Sequence, residues 1–521
     1  MDRRPKLETL THGTVWHPST TRPRNHVLPS GRAAALFAFD SGSTLSFEDT
    51  SEIEERAGRE AVGTSARVQR SPVKRHGLGN WRLIVCVFLP FAAGYYLSYL
   101  FRTINTLISG RLTTDLGINA ADLGLLASVY FLAFGAAQIP IGALLDRFGP
   151  RRVQSGLLVV AAAGALLFGI STGFYALLIA RTMIGFGVAA ALMAGLKAVV
   201  IWFPRDKVAL VNGYMIMLGA LGGVSATAPA EWLVDRIGWR GLFELLAVIT
   251  LATALLIYLA VPEPAETQKA DLRSSTLKTV YLNAQFWRVA PLSAVCVGSA
   301  WALQGLWAAP WLTDVEGLDR HSLINRLFIM AICICVGALL LGVIADRLRR
   351  RGVRTEIVLA ALAALFVTAE LAVILHLPVP QLLPWCVVSM FGAATVLSYA
   401  IMADSFPSEF AARANGGLNL LHFGWAFAAQ CGIGVILEQW PSQDGHYPVI
   451  AYQTAFGLNV AVQVLALAWF IAPLIHALTH ALALQAIEAI SSRFGHEGDV
   501  VETMTPSADV IFFDAVEDVD W

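Results

Sequence analysis

The chain has 521 residues, of which 56% are hydrophobic and only 14% charged, against about 25% charged in an ordinary soluble domain. That deficit excludes a typical soluble globular protein and points to one that crosses a bilayer many times. The formal net charge of −1 excludes nothing by itself, because the basic residues are laid out unevenly.

Residues 1–80 are polar, rich in Ser, Arg, Glu and Pro, and without helical periodicity, so they are expected to be a disordered extension. They hold no apolar core of about 7–15 residues, and no signal peptide is expected. From Trp81 onward, apolar runs of about 20 residues recur, the length a helix needs to cross roughly 30 Å of hydrocarbon. Spans are predicted near 83–108, 121–145, 152–172, 175–202, 208–230 and 241–261. A polar linker, 262–287, follows. Six more spans are predicted near 288–312, 323–345, 355–376, 382–403, 415–437 and 450–474. Only helices satisfy backbone groups over such lengths in lipid. The expected fold is therefore an all-α membrane protein of 12 transmembrane helices in two six-helix, pseudo-symmetric bundles, 81–261 and 288–475. The end of the chain, 476–521, is expected to start as a short helix from His476 to Phe494 and then to form an acidic, solvated tail.

The duplication rests on a charged loop. Between the second and third spans the chain reads Gly142-x-x-x-Asp146-Arg147-x-Gly149-x-Arg151-Arg152. A second copy, Gly342-Val-Ile-Ala-Asp346-Arg347, lies 200 residues on, with Arg349 where the first copy has Gly149. Placing the amino terminus in the cytoplasm puts Arg147, Arg151, Arg152, Arg205, Lys207, Lys269, Arg273, Lys278, Arg347, Arg349, Arg350, Arg351, Arg354 and Arg413 on the inner side. It leaves Arg111, Arg236, Arg240, Arg320 and Arg326 outside. That bias predicts an inner-membrane, multi-pass protein with both termini cytoplasmic. Trp232, Trp239, Trp311, Trp385 and Trp440 fall at the outer ends and are expected to form an interfacial belt. The six cysteines all lie in apolar runs and read as small packing residues. No metal, cofactor or nucleic-acid partner is expected, and the chain reads as a monomer.

Ionisable residues inside spans are costly unless they face a cavity or a partner. In the first span, Tyr95, Ser98, Tyr99, Arg102 and Asn105 recur at three- and four-residue spacing and share one helix face. Arg102 either snorkels to the outer surface or lines a cavity; the polar aromatic stripe favours the cavity. Lys197 in the fourth span either adds positive charge to the same cavity or snorkels to the inner headgroups. Trp301, Gln304 and Trp307 share one face of the seventh span; an aromatic wall with one amide suits a small organic solute, and core packing is the alternative. His422 in the eleventh span titrates near neutral pH, or is a packing histidine. Glu370 interrupts the ninth span and reads as a structural or lipid-edge position rather than a proton carrier.

These residues resemble a known family. The Gly142–Arg152 loop looks like the motif between helices 2 and 3 of the major facilitator superfamily. Arg181-Thr-Met-Ile-Gly185-Phe-Gly187 looks like its helix-4 motif. The resemblance covers about residues 81–475. It implies a central cavity between two halves and alternating access by rocking. It implies that Gly142, Asp146, Arg147 and Arg151 form an inner gate, Asp146 being held at the start of the eleventh span with Arg413, and that Asp346 and Arg347 repeat this in the second half. It implies a proton-coupling role for Arg181, to which His422 is added as a candidate. The Tyr95-Tyr96-Leu97…Arg102 stretch is loosely similar to helix 1 of the organophosphate:phosphate antiporter branch, where an Arg binds the anion. That branch adds a second Arg from helix 7, where this chain has Trp301 or Gln304, so a monoanion or zwitterion is expected. Drug-efflux antiporters of the superfamily carry a Gly-Pro pair on helix 5. Here Gly222-Gly223 is followed by Val224 and the proline comes at Pro229, which lowers that reading.

The expected function is secondary active transport of a small anionic or zwitterionic solute with proton coupling. Arg102, Tyr99, Asn105, Lys197, Trp301 and Gln304 are the expected substrate contacts. Proton-driven drug or metabolite efflux is one alternative, and a transporter-like sensor that moves no solute is another.

Overall fold

A computed structural model describes residues 80–263, 280–391, 395–443 and 446–494. The expected 1–80 extension, nearly all of the linker with Lys269, Arg273 and Lys278, and the acidic tail beyond Phe494 lie outside the described residues. Within them the chain is almost wholly helical, with one isolated bridge between Gln443 and His446. In chain order the helices are α1 (Trp81–Leu116), α2 (Ala120–Ile170), α3 (Phe174–Trp202), α4 (Val208–Ser225), α5 (Ala228–Ala260), α6 (Ala284–Asp314), α7 (Arg320–Arg350), α8 (Thr355–Ile374), α9 (Leu382–Phe391), α10 (Thr395–Ser405), α11 (Ser408–Leu437) and α12 (Val449–Phe494). Among the described residues nine helices are long and apolar enough to cross a membrane, with mean hydropathy from 1.4 to 3.0. The protein is thus a multi-pass membrane protein.

Helix boundaries follow from local chemistry. α2 has 51 residues, about 77 Å if straight at 1.5 Å per residue, more than twice the hydrocarbon thickness. It turns instead at Gly149, whose φ of 78° and ψ of 162° lie in a region essentially confined to glycine. Pro150 follows, where a missing N–H costs nothing at a helix start. Gly238, with φ 70° and ψ 169°, does the same inside α5. Asn119 caps α2 by accepting from the Asp122 amide at 2.7 Å. Asp319 caps α7 by accepting from the amides of His321 and Ser322. Two short π-helical segments, Ile84–Phe88 and Leu303–Trp307, interrupt α1 and α6; nothing in the hydropathy pattern announces them. α12 runs unbroken past Pro473 to Phe494, so the expected short helix after the last span is its continuation.

The core is one continuous apolar cluster running through both halves of the sequence. Small residues let helices approach closely. A Cβ at Gly187 would collide with the backbone of Leu157 and Ala161, and one at Gly185 with the backbone of Tyr130. The helix-4 glycines are therefore the contact surface between α3 and α2. The tryptophan belt is only partly realised. Trp232 is exposed, but Trp239, Trp311 and Trp385 are buried. Trp239 and Trp385 donate their indole N–H to Asp115 and Glu316, at 2.7 and 3.1 Å. Each of these two buried rings is paired with a carboxylate, exposed Asp115 for Trp239 and the buried Glu316 side chain for Trp385, a pairing that hydropathy does not reveal.

The two ends of the bundle differ. At the end that carries Glu231, the sequence halves are tied together. Arg320 of α7 donates Nε and Nη2 to the two oxygens of Glu231 on α5, each at 2.7 Å, and Nη2 also to the Leu107 carbonyl at 3.0 Å. The Ala120 amide donates to the Tyr447 hydroxyl at 3.2 Å. Thr106 donates to the Gln304 carbonyl at 2.6 Å, in α6. At the end that carries Asp146, every ion pair among the described residues stays within one half: Lys197–Asp146, Arg151–Glu263, Arg152–Glu263, Arg350–Asp346, Arg349–Asp404 and Arg354–Glu356.

Candidate functional site

Midway along the bundle α1 presents Tyr95, Tyr99 and Arg102 on one face, all half-buried. The Arg102 guanidinium carbon lies 3.8 Å from the Tyr99 ring centre and 5.0 Å from that of Trp301 on α6. The cation is thus held between two aromatic faces, one from each half of the sequence. Tyr95 meets Tyr99 edge-on at 5.7 Å. Trp301 is packed by Phe423 at 5.0 Å, His422 at 5.8 Å and Phe131 at 6.5 Å. Among the described residues no carboxylate forms an ion pair with Arg102.

Beside this clamp the second half adds a polar patch of which sequence reasoning had picked out His422 and missed Tyr399, Asn419, Ser293 and Ser398. Tyr399 on α10 donates its hydroxyl to Asn419 on α11 at 2.8 Å, and its ring lies 5.9 Å from that of His422. Ser293 on α6 lies 2.7 Å from His422 Nε2 and donates to Ser398 Oγ at 2.7 Å. His422 is fully buried, and its Nδ1 has no hydrogen-bond partner. The signal was present in the sequence: Ser398-Tyr399 and Asn419…His422 are polar interruptions of apolar runs. What was missing was the packing of α10 and α11 that brings them together.

The other expected contacts are distributed differently. Arg181 is buried, donates to the Phe101 carbonyl at 3.2 Å and lies 5.1 Å from the Tyr130 ring centre. With the Asn105 amide oriented oxygen-inward, that oxygen accepts from Arg181 at 2.5 and 3.3 Å. Asn105 is thus turned toward α3, while Arg102 is turned toward Tyr99 and Trp301. Ser98, on the same stripe, donates to the Val188 carbonyl of α3 at 3.3 Å. Gln304 donates to the Ser389 carbonyl at 3.0 Å, within the second half. Lys197 is brought to Asp146 at 2.6 Å and to the Leu145 carbonyl at 2.8 Å, so it joins the charged loop rather than the Arg102 clamp. In that loop Arg151 donates to the Tyr258 carbonyl at 2.8 Å and Arg147 lies against Phe148. Gly142 faces open space. Arg413 lies over Phe410 at 5.9 Å, and the partner Asp146 holds here is Lys197. Asp346 pairs with Arg350 one turn along its own helix, and Arg347 is exposed. No group of three or more His, Cys, Asp or Glu able to hold a metal occurs among the described residues.

The Major Facilitator Superfamily profile matches residues 86–430. The chain is 24% identical to the probable sulfoacetate transporter SauU of Cupriavidus necator over 49% of its length, and spans 64% of that relative. It is 21% identical to the probable galactarate/D-glucarate transporter GudP of Escherichia coli, over 72% of this chain and 91% of the relative. The crystal structure of a bacterial homologue of the human lysosomal transporter Spinster, inward-facing and occupied, superposes with a TM-score of 0.63. That likeness has 18% identity and covers 76% of this chain and 97% of the other.

Proposed function

The chain belongs to the major facilitator superfamily, and from that premise we propose that it is a secondary active transporter of a small, hydroxylated organic anion, working by alternating access with proton coupling. The observation that carries the reading is Arg102, an unpaired cation held between Tyr99 and Trp301 beside the Tyr399–Asn419 and His422–Ser293–Ser398 hydrogen bonds. A carboxylate or sulfonate matches the guanidinium fork. Hydroxyl groups match the neutral donors and acceptors opposite. The relatives named for sulfoacetate and for galactarate and D-glucarate support an organic anion.

Counting α2 and α5 as two spans each, divided at Gly149 and Gly238, and joining α4 to the start of α5 and α9 to α10, gives twelve spans in two sets of six. We read 81–261 and 288–475 as these two bundles, with both termini cytoplasmic in an inner membrane, on the Lys and Arg bias. The state described is then inward-facing. Arg320–Glu231 closes the outer side, while Asp146 and Asp346 of the inner charged loops each pair within their own half. In the opposite state Asp146 exchanges Lys197 for the amino-terminal end of α11. His422 and Arg181 are the proposed proton-coupling groups beside the anion.

Uptake of labelled hydroxy-monocarboxylates, hydroxy-dicarboxylates and sulfonates into proteoliposomes, with and without an imposed pH gradient, tests the assignment. Arg102→Ala is expected to abolish uptake of the anion that the native protein accumulates, and Arg102→Lys to leave a small fraction. Undiminished uptake by Arg102→Ala would remove Arg102 from the site.

A further inference from the structure

One buried acid lies away from this clamp. Glu370 sits on α8, one turn before its end at Ile374, and is 5% exposed. Neither carboxyl oxygen makes a hydrogen bond, and the Gln463 amide, fully buried on α12, likewise makes none. The helices packed on α8 bring the Gln463 amide from α12 and the Cys296 thiol from α6 toward it. α7, α9 and α10 bring no ion pair or hydrogen bond. An ionised carboxylate in such a place is strongly disfavoured unless paired, and among the described residues no cation pairs with it.

Space leads to it. A void of about 10 Å3 with an apolar surface, lined by Leu303, Val373, Trp385, Val388, Phe456 and the Glu370 side chain, lies beside it. A second cavity of about 20 Å3, lined by Trp311, Glu316, Val373 and His376 among others, lies at the Glu231 end of the bundle. Val373 lines both. His376 at the mouth is exposed, while Glu316 beside it is held by Arg326 and the Trp385 indole.

We propose that Glu370 is a proton-binding site, loaded from the Glu231 end through the cavity beneath His376. A proton reaching the carboxylate along this route converts it to the acid; release returns it by the same route. Its use in driving transport rests on the reading above, whereas the binding itself does not, and the test separates them.

Infrared difference spectra of the full chain in lipid nanodiscs, native minus Glu370→Gln, are expected to show a carboxylic-acid carbonyl band at neutral pH. The band should shift in heavy water and give way to carboxylate bands at alkaline pH. Glu370→Asp should move the band rather than remove it, which keeps the assignment testable if the Gln variant folds poorly. Val373→Phe, which fills the void, should slow the heavy-water shift several-fold. Carboxylate bands alone at neutral pH, an acid band that never shifts in heavy water, or an unchanged shift in Val373→Phe would each overturn the proposal. In proteoliposomes, Glu370→Gln should keep counterflow of the transported anion and lose its pH-driven accumulation; full accumulation would overturn the coupling role. A native protein that moves none of the anions yet shows the exchanging acid band would instead overturn the transport reading alone.

Discussion

Arg102 is held by ring faces rather than by a carboxylate, and that choice matters for a binding residue. A cation–π contact contributes about 0.5–2 kcal/mol, enough to orient a guanidinium and too little to hold it against an arriving anion. A carboxylate partner would compete with the solute directly. Trp301→Ala should therefore weaken solute binding while leaving Arg102 present, seen as a raised Kd in a thermal-shift titration. Spacing in the first span made Arg102, Tyr99 and Tyr95 legible, since residues three and four apart share a face. It could not separate them from Ser98 and Asn105, which bond to α3. A stripe on one helix spans a wide arc, and only the neighbours decide which part of it is wet. Gly187 is the opposite case, a residue whose lack of a side chain is its role. Gly187→Val would drive a branched side chain into the Leu157–Ala161 backbone, an overpacking cost of about 1–3 kcal/mol or more. A lowered unfolding temperature in detergent checks it.

Elements were the most legible level. Apolar run length sets where a helix can cross, and many predicted boundaries fall within a few residues of those observed, but α1 runs on from 108 to Leu116, α11 starts at Ser408 rather than 415, and α12 runs on to Phe494. The turns inside α2 and α5 rest on single glycines. Gly149→Ala should cost about 1–3 kcal/mol, because its backbone lies where only glycine is at ease; a lowered unfolding temperature with unchanged helical circular dichroism is the expected result. Asp319 shows how a cap carries pH dependence. Its hydrogen bonds to Ser322 hold the carboxyl below the usual carboxylate range. A depressed value means the contribution is fully present above the unfolded range of about 4 and is lost as pH falls through the lower folded value. Asp319→Asn should flatten the acid limb of unfolding temperature against pH, modestly, since the group is exposed. The π-helical segments of α1 and α6 were not legible, because one extra residue in a turn leaves the hydropathy of a span unchanged.

Across the whole molecule, closure of one end is concentrated in Arg320 and Glu231. The pair is bidentate, and Glu231 is mostly buried. Arg320 is 39% exposed, so solvent screening reduces its value. Arg320→Ala is expected to cost the closed form about 1.5–3 kcal/mol at most, up to roughly tenfold to a hundredfold in the ratio of states. Spin labels across this end, read by electron–electron distance measurement, should show a larger open population than in the native protein. An unchanged distribution would mean that the Ala120–Tyr447 and Thr106–Gln304 hydrogen bonds and the apolar contacts of Trp307, Gly124 and Gly434 hold this end without Arg320.

What the chain alone determined was what depends on solvent and local order: many membrane crossings, their approximate ends, the repeated charged loop and the aromatic–arginine stripe. Lipid imposes those through run length and charge, which are properties of neighbouring residues. What only the tertiary structure decided was partnership. Lys197 lies against Asp146, Trp385 and Trp239 turn inward to carboxylates, Tyr399 and Ser293 join the clamp, and Glu370 is buried beside a void. Each depends on groups dozens to hundreds of residues apart, brought together by packing of apolar faces that does not record which polar atoms it will make neighbours.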